Sequence, residues 1–255
     1  MSKKIIARNV SIIYRGKFNQ EPVLACDGVD LEVEEREFVS IVGPSGCGKT
    51  TFLYAVDGLL SIDGGEIRVR DERVAGPGMD RALVFQNASL LPWKTVWGNI
   101  TYGLRLKGDL SEEKFSKIES LIELVGLKGF ESHYPSQLSG GMQQRANLAR
   151  GLAVDPDILL LDEPFASVDA QTREKLQLEL TNIWARTQKT MLLVTHDISE
   201  AVFLSDRVIV FSARPARVRE VIEVAIPRPR SQQTRHSSLL QDYVKRVWDL
   251  IELSS

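Results

Sequence analysis

FVSIVGPSGCGKTTFL spans residues 38–53. It opens on an alternating apolar run, Phe38-Val39-Ser40-Ile41-Val42, that reads as a buried strand. A turn follows through Gly43-Pro44-Ser45-Gly46-Cys47-Gly48, and Lys49-Thr50-Thr51-Phe52-Leu53 reads as the first turns of a helix. The spacing G-x-x-x-x-G-K-T between a strand and a helix is that of a phosphate-binding loop. Glycines tolerate backbone angles that other residues resist, so the amide N–H groups can curl around an anion. The helix start adds unpaired N–H groups and the positive end of its dipole. Residues 43–51 are thus the candidate phosphate cradle. Lys49 offers a full charge to β- and γ-phosphates, and Thr50 offers a hydroxyl to Mg²⁺.

Outside this stretch, 255 residues of which 43% are hydrophobic suffice for a sizeable core in one domain with a subdomain. A formal charge of −2 gives no reason to expect nucleic acid as a partner. No apolar run approaches the ~18 residues that span a bilayer. The start, MSKKIIARNV, lacks the long apolar segment of a signal peptide. Two cysteines, Cys26 and Cys47, make no disulfide framework. The expectation is a cytoplasmic protein.

Residues 4–14 and 29–34 alternate as half-buried strands do, with a loop containing Gly16, Asn19 and Pro22 between them. Strands are also predicted at 66–69 and 82–85. Between about 95 and 155 the pattern is helical. Ser111 caps a helix with Phe115, Ile118, Ile122 and Val125 on one stripe, and Gly126 ends it. Ser139 precedes another helix, broken at Asp155-Pro156. Three short apolar runs, at 158–161, 191–194 and 208–211, suit strands buried on both faces. Helical segments at 170–186 and 197–204 separate them. Strands alternating with helices imply a parallel sheet. Beyond Pro227 and Pro229 come a basic polar linker and a last amphipathic helix with Leu240, Val244, Val247 and Ile251.

Asp162 and Glu163 follow the run at 158–161. Carboxylates at the C-terminal end of a parallel strand lie where such sheets bind ligands. Asp162 can hold Mg²⁺ through its water shell, and Glu163 is placed to polarise an attacking water. Residues 138–145, LSGGMQQR, start a helix with Ser139, Gly140 and Gly141, which present a hydroxyl and free amides together as a second anion site. One nucleotide does not need two such sites from one chain, so the second is expected to serve another copy. Tyr14, at a strand end, is either a strand aromatic or a stacking surface for a base. Cys47 is either a small space-filler facing away from phosphate or a thiol exposed to the helix end.

LSGGMQQR resembles the signature of the ATPase subunits of ABC transporters. Other elements are similar and come in the family's order: Tyr14 as the adenine-stacking aromatic, Gln86 in LVFQN, the D-loop at Ser167-Val168-Asp169-Ala170 with Val168 where Leu is usual, and His196 in LLVTHD. The resemblance covers nearly the whole chain. It implies an α/β phosphate-loop NTPase fold with a RecA-like parallel core, an antiparallel β subdomain and an inserted α-helical subdomain at about 87–155. The ATPase domain would occupy 1–230 and a linker with an amphipathic helix 231–255. It further implies that Gln86 senses Mg²⁺ and the water, that His196 contacts the γ-phosphate, and that Asp169 communicates across a dimer. Two ATP molecules would be sandwiched between two such chains.

A finer resemblance, through residues 91–96 (LPWKTV) with Asn99-Ile100 and through Ser212-Ala213-Arg214-Pro215 with Pro227-Arg228-Pro229-Arg230, is to the nitrate, taurine and alkanesulfonate importers. It implies separate transmembrane permease subunits, indirectly a solute-binding protein, and a place at the cytoplasmic face of the inner membrane. Importers of thiamine precursors and other small solutes look similar. A soluble ABC ATPase of DNA repair or translation usually has coiled-coil insertions or two tandem cassettes, which this sequence lacks. A kinase or GTPase would leave LSGGMQQR unexplained. Asp57 stands where this branch usually has a small residue.

Overall fold

The computed structural model describes residues 2–15, 21–109, 111–166 and 168–252. Gly16, Asn19 and Ser167, named above for a loop and for the D-loop, lie outside the described residues. Strands β1 (Lys3–Tyr14) and β2 (Val23–Glu34) pair antiparallel. β2 starts earlier than the alternation at 29–34 predicts. Asp27 and Gly28 break the pattern, yet the pairing absorbs them through register shifts between Ala7 and Ile12, and Gly28 takes φ +62°. β3 (Phe38–Val42) then opens a second sheet and leads into α1 (Lys49–Asp57). β4 (Gly64–Val69) and β5 (Glu72–Arg73) return to the first sheet, whose order is β2-β1-β4-β5.

β6 (Arg81–Val84) rejoins the second sheet and is followed by the helical region: α2 (Val96–Ile100), α3 (Tyr102–Lys107), α4 (Glu112–Leu124) and α5 (Gly140–Ala153). Hydroxyl caps set three of these starts, with Thr95 accepting from Gly98 N at α2. Ser111 accepts from Lys114 N and Ser139 from Met142 N. Thereafter strands and helices alternate: β7 (Ile158–Asp162), α6 (Ala170–Thr187), β8 (Thr190–Val194), α7 (Ile198–Leu204), β9 (Arg207–Phe211). β10 (Val218–Glu223) adds an antiparallel edge that the sequence reading did not resolve. The sheet order is β10-β9-β3-β8-β7-β6, with β9, β3, β8, β7 and β6 parallel. Every residue of β3, β7 and β8 is buried, because helices or the other sheet cover both faces.

One apolar cluster lies between the two sheets and includes Ile5, Val29, Phe52 and Phe211. The other ties the helical region to the parallel sheet through Ile100, Ile118, Leu161 and Phe203. Leu240 and Val247 of the last helix, α9 (Ser238–Glu252), are fully buried in this second cluster. The basic stretch before it is bound to the body and carries a short α8 (Gln232–Arg235). Arg230 is buried and donates to Val202 O and Phe203 O, while Arg228 donates to Leu204 O and stacks over Trp184. These guanidinium groups satisfy carbonyls that the end of α7 leaves unpaired.

Candidate active site

The phosphate loop is moulded by two close approaches. A Cβ on Gly43 would stand 2.8 Å from Phe211 O, and one on Gly48, at φ +127°, would stand 2.6 Å from Ala25 O. Neither position admits a side chain without moving backbone. Lys49 lies under the loop with its Nζ donating to Gly43 O (2.8 Å) and Pro44 O (3.0 Å). Ser45, Gly46, Gly48, Lys49, Thr50 and Thr51 line one cleft of ≈ 380 Å³. Tyr14, half exposed at the end of β1, Val23 and Ala25 line it as well, together with Glu163 and Arg214. The Cys47 thiol is not on this wall. It is buried in the core between the sheets, and burial raises its pKa against the pull of Lys49. Cys26 is pushed up to about 12, first by burial and then by Cys47. Both thiols are thus poor nucleophiles.

At the C-terminal end of β7, Asp162 is engaged through both oxygens. Thr50 Oγ1 donates to its Oδ1 and the Tyr54 hydroxyl to its Oδ2, each at 2.9 Å. Burial raises the Asp162 carboxyl, and these two hydrogen bonds oppose the rise. Burial likewise raises the Tyr54 phenol, with Asp162's charge adding to it. Tyr54 escaped the sequence reading, since an aromatic one turn into α1 looks like core. Glu163 takes φ +43°, an uncommon conformation for a non-glycine residue, with its N–H bonded to Val194 O at 2.8 Å. That bend carries its carboxylate to His196, whose Nδ1 is 3.0 Å from Glu163 Oε2. Among the described residues no cluster of three or more His, Cys, Asp or Glu could hold a metal ion. A hydroxyl and a carboxylate side by side, Thr50 and Asp162, do fit Mg²⁺, which keeps several waters and takes phosphate oxygens as further ligands.

The remaining candidates stand apart from that cleft. Ser139 and Gly140 are exposed at the start of α5, with the Ser139 hydroxyl capping the helix. Gly141 is buried, and a Cβ there would meet Thr172 Cγ2 at 2.8 Å. Asp169 caps α6 by accepting from Thr172 N at 3.0 Å, which holds its carboxyl below the usual range. The helix starts carrying the signature and the D-loop therefore pack on each other. Arg173, one turn into α6, donates to Val168 O and faces Asp197, the neighbour of His196, at 3.6 Å. Gln86 is exposed just after β6. The chain on either side of it is held from α5: Asn147 donates to Phe85 O, and Arg150 to Ala88 O and Ser89 O. Arg173, Asn147 and Arg150 carry no sequence signal, because polar residues on a helix read as a solvated face.

A parallel sheet with a phosphate-loop turn between β3 and α1, a paired glutamate and histidine, and a Ser-Gly-Gly helix start at α5 defines one class of nucleotide hydrolase. A family model described as ABC transporter matches residues 26–166, and the chain belongs to that family. It is 47% identical to an uncharacterized ABC transporter ATP-binding protein of Methanocaldococcus jannaschii, over 99% of this chain and 92% of that one. Identity is 44% to the nitrate import ATP-binding protein of a Synechocystis strain, covering 80% and 77%. It is 42% to the aliphatic sulfonates import ATP-binding protein of Bacillus cereus, covering 90% and 89%. Among solved structures, a dimeric ATP-binding cassette in a post-hydrolysis state with ADP and Pi matches at 32% identity and TM-score 0.75, covering 88% of this chain and 100% of that one. The chain is an ATP-binding, ATP-hydrolysing subunit of the ABC class.

Proposed function

We propose that this subunit energises import of a small solute, of the nitrate or sulfonate kind, through separate transmembrane permease subunits. The importer names of the relatives support this reading. Among the described residues no helix is long and apolar enough to cross a membrane, in keeping with a peripheral place at the cytoplasmic face of the inner membrane and an indirect link to a solute-binding protein. The subunit works as a dimer, as the matched cassette does. Ser139, Gly140 and Gly141 of one copy meet the γ-phosphate of ATP held by residues 43–51 of the other, with Tyr14 against adenine.

The observation that carries the mechanism is the Glu163–His196 pair beside Thr50 and Asp162. Thr50 and Asp162 would hold Mg²⁺, which supplies positive charge to the phosphates when bound. Tyr54 fixes the rotamer of Asp162. Glu163 orients water for attack on the γ-phosphate, and His196 holds Glu163 and contacts that phosphate. Gln86 reports the state of the site to the helical region, and Asp169 to the second copy. In-line positioning and charge stabilisation do most of the work in phosphoryl transfer.

Glu163→Gln tests this. The amide keeps the shape but is a poor base, so ATP binding should persist while turnover falls about 10²–10⁴-fold. Gel filtration with ATP and Mg²⁺ should then show an accumulated dimer. A monomer with wild-type hydrolysis would refute the assignment.

A further inference from the structure

The cleft has a second cation on its wall. Arg214 lines it together with Tyr14, Val23 and the phosphate loop, and sits at the turn between β9 and β10. Ser212 shapes that turn: its N–H donates to Arg217 O at 3.0 Å, and its Oγ accepts from Arg217 N at 3.1 Å. The far limb is fastened to β2. Ala216 N donates to Ala25 O at 2.8 Å, and Asp27 N donates to Ala216 O at 3.0 Å. The same two residues enclose Gly48, with Ala25 O at 2.6 Å and Ala216 Cβ at 3.3 Å from a Cβ built there. The turn is therefore held in register with the phosphate end of the cleft. It is not a free loop.

Its charges are treated unequally. Arg217 is paired with Asp27. Arg214 is exposed and, among the described residues, has no hydrogen bond or ion pair. Lys49 already spends two of its donors on Gly43 O and Pro44 O. A guanidinium without a carboxylate, mounted on a braced turn and lining the same cleft as the phosphate loop, is matched by an anionic ligand.

We propose that Arg214 binds the phosphate chain of the nucleotide as a second cation beside Lys49. This rests on the ATP-binding reading above and adds a contact to it. The planar fork suits two phosphate oxygens at once, which an ammonium does not reproduce.

The test measures ADP, ATP and inorganic tripolyphosphate in competition against a fluorescent ADP analogue, for wild type, Arg214→Gln and Arg214→Lys. The side chain is exposed, so melting temperatures should agree across the three. Arg214→Gln should weaken all three ligands about tenfold, as loss of a charge-assisted contact does. Arg214→Lys should recover part of that loss. The deficit should shrink at about 1 M salt, where charges are screened within about 3 Å. Affinities within twofold of wild type for every ligand would make Arg214 an ordinary surface arginine. Weaker ATP and ADP with unchanged tripolyphosphate would mean a base or ribose contact and overturn the phosphate assignment. If the wild-type chain bound no ADP, the nucleotide site itself would fail, and Arg214's part in it with it.

Discussion

Glu200 lies in α7, four residues past His196, with 4% of its surface exposed. Its Oε2 accepts from Thr195 Oγ1 at 2.7 Å, and its Oε1 has no hydrogen-bond partner among the described residues. Thr195 Oγ1 accepts in turn from Asp197 N at 3.0 Å, so the residues on both sides of His196 are braced through one buried carboxyl. Burial pushes that carboxyl up to about 8. The Thr195 hydrogen bond pulls it back, Asp197 and Glu163 push it further up, and Arg173 opposes them. In the unfolded chain it would titrate near 4.5. Between those values the unfolded state gives up a proton that the folded state keeps, so stability falls as pH rises. The slope is about 1.4 kcal/mol per pH unit in the middle of the window. Glu200→Gln carries no such proton. Denaturant melts at pH 5, 6, 7 and 8 should show the variant gaining on wild type with each step; parallel curves would mean that Glu200 is ionised in the fold. Asp57 is a milder case. It is buried at the end of α1, burial raises its carboxyl and the Arg81 charge opposes the rise, while Arg81 Nε donates to its carbonyl. The side chain unusual for the branch is thus offset by a buried arginine.

The stretch from Leu91 to Ile100 shows what one amide does for an element. Asn99 is fully buried. Its Oδ1 accepts from Leu91 N at 2.7 Å, and its Nδ2 lies within 3.2 Å of Leu91 O, Lys94 O and Thr95 O. The loop before α2 is pinned to the helix by this side chain, and Thr95 caps the helix by accepting from Gly98 N. The two tryptophans part company as a result. Trp97 stacks on Phe115 with ring centroids 5.8 Å apart, whereas Trp93 is 69% exposed. Lys94 lies over the Tyr102 ring beside it. An exposed Trp on a braced loop, linked through residues 85–89 to α5, suits an anchor for a permease segment. Trp93→Ala should change stability by no more than about 0.5 kcal/mol, as surface substitutions do. It should leave basal ATPase intact while lowering co-purification of the permease and solute uptake. Normal complex assembly and uptake by the folded variant would remove Trp93 from the coupling surface.

Across the whole molecule, the signature helix start does not line the cleft at the phosphate loop, and Ser139 and Gly140 are exposed. A composite site formed by two copies makes a prediction about mixtures. Ser139→Arg should bind ATP normally and fail to hydrolyse it, because its lesion meets the other chain's phosphate. Lys49→Ala should lose about 1.5–3 kcal/mol of nucleotide binding and also fail to hydrolyse. Their heterodimer carries both lesions in one site and none in the other, so mixing the two inactive proteins should restore partial ATPase activity. Collapse of ATP affinity in isolated Ser139→Arg would instead place the signature in the same chain's site.

Local spacing alone specified much of this protein. The phosphate loop is a run of glycines between a strand and a helix, and both the run and its neighbours are contiguous in the chain. The strands at 38–42, 158–162 and 190–194 are buried on both faces, so their apolar composition declares them. The caps at Ser111 and Ser139 act within three residues. Tertiary structure decided whatever depends on sheet order, because β3 takes its neighbours β8 and β9 from some 150 residues later in the chain. No spacing rule foretells that Tyr54 meets Asp162 across 108 positions, or that Glu163 turns through a positive φ to reach His196. β10 hides for a related reason: a half-exposed edge strand with charged residues resembles a loop until β9 is there to pair with it. The turn that pairing creates is what carries Arg214 to the cleft, where its charge acquires a use that its sequence neighbours do not disclose.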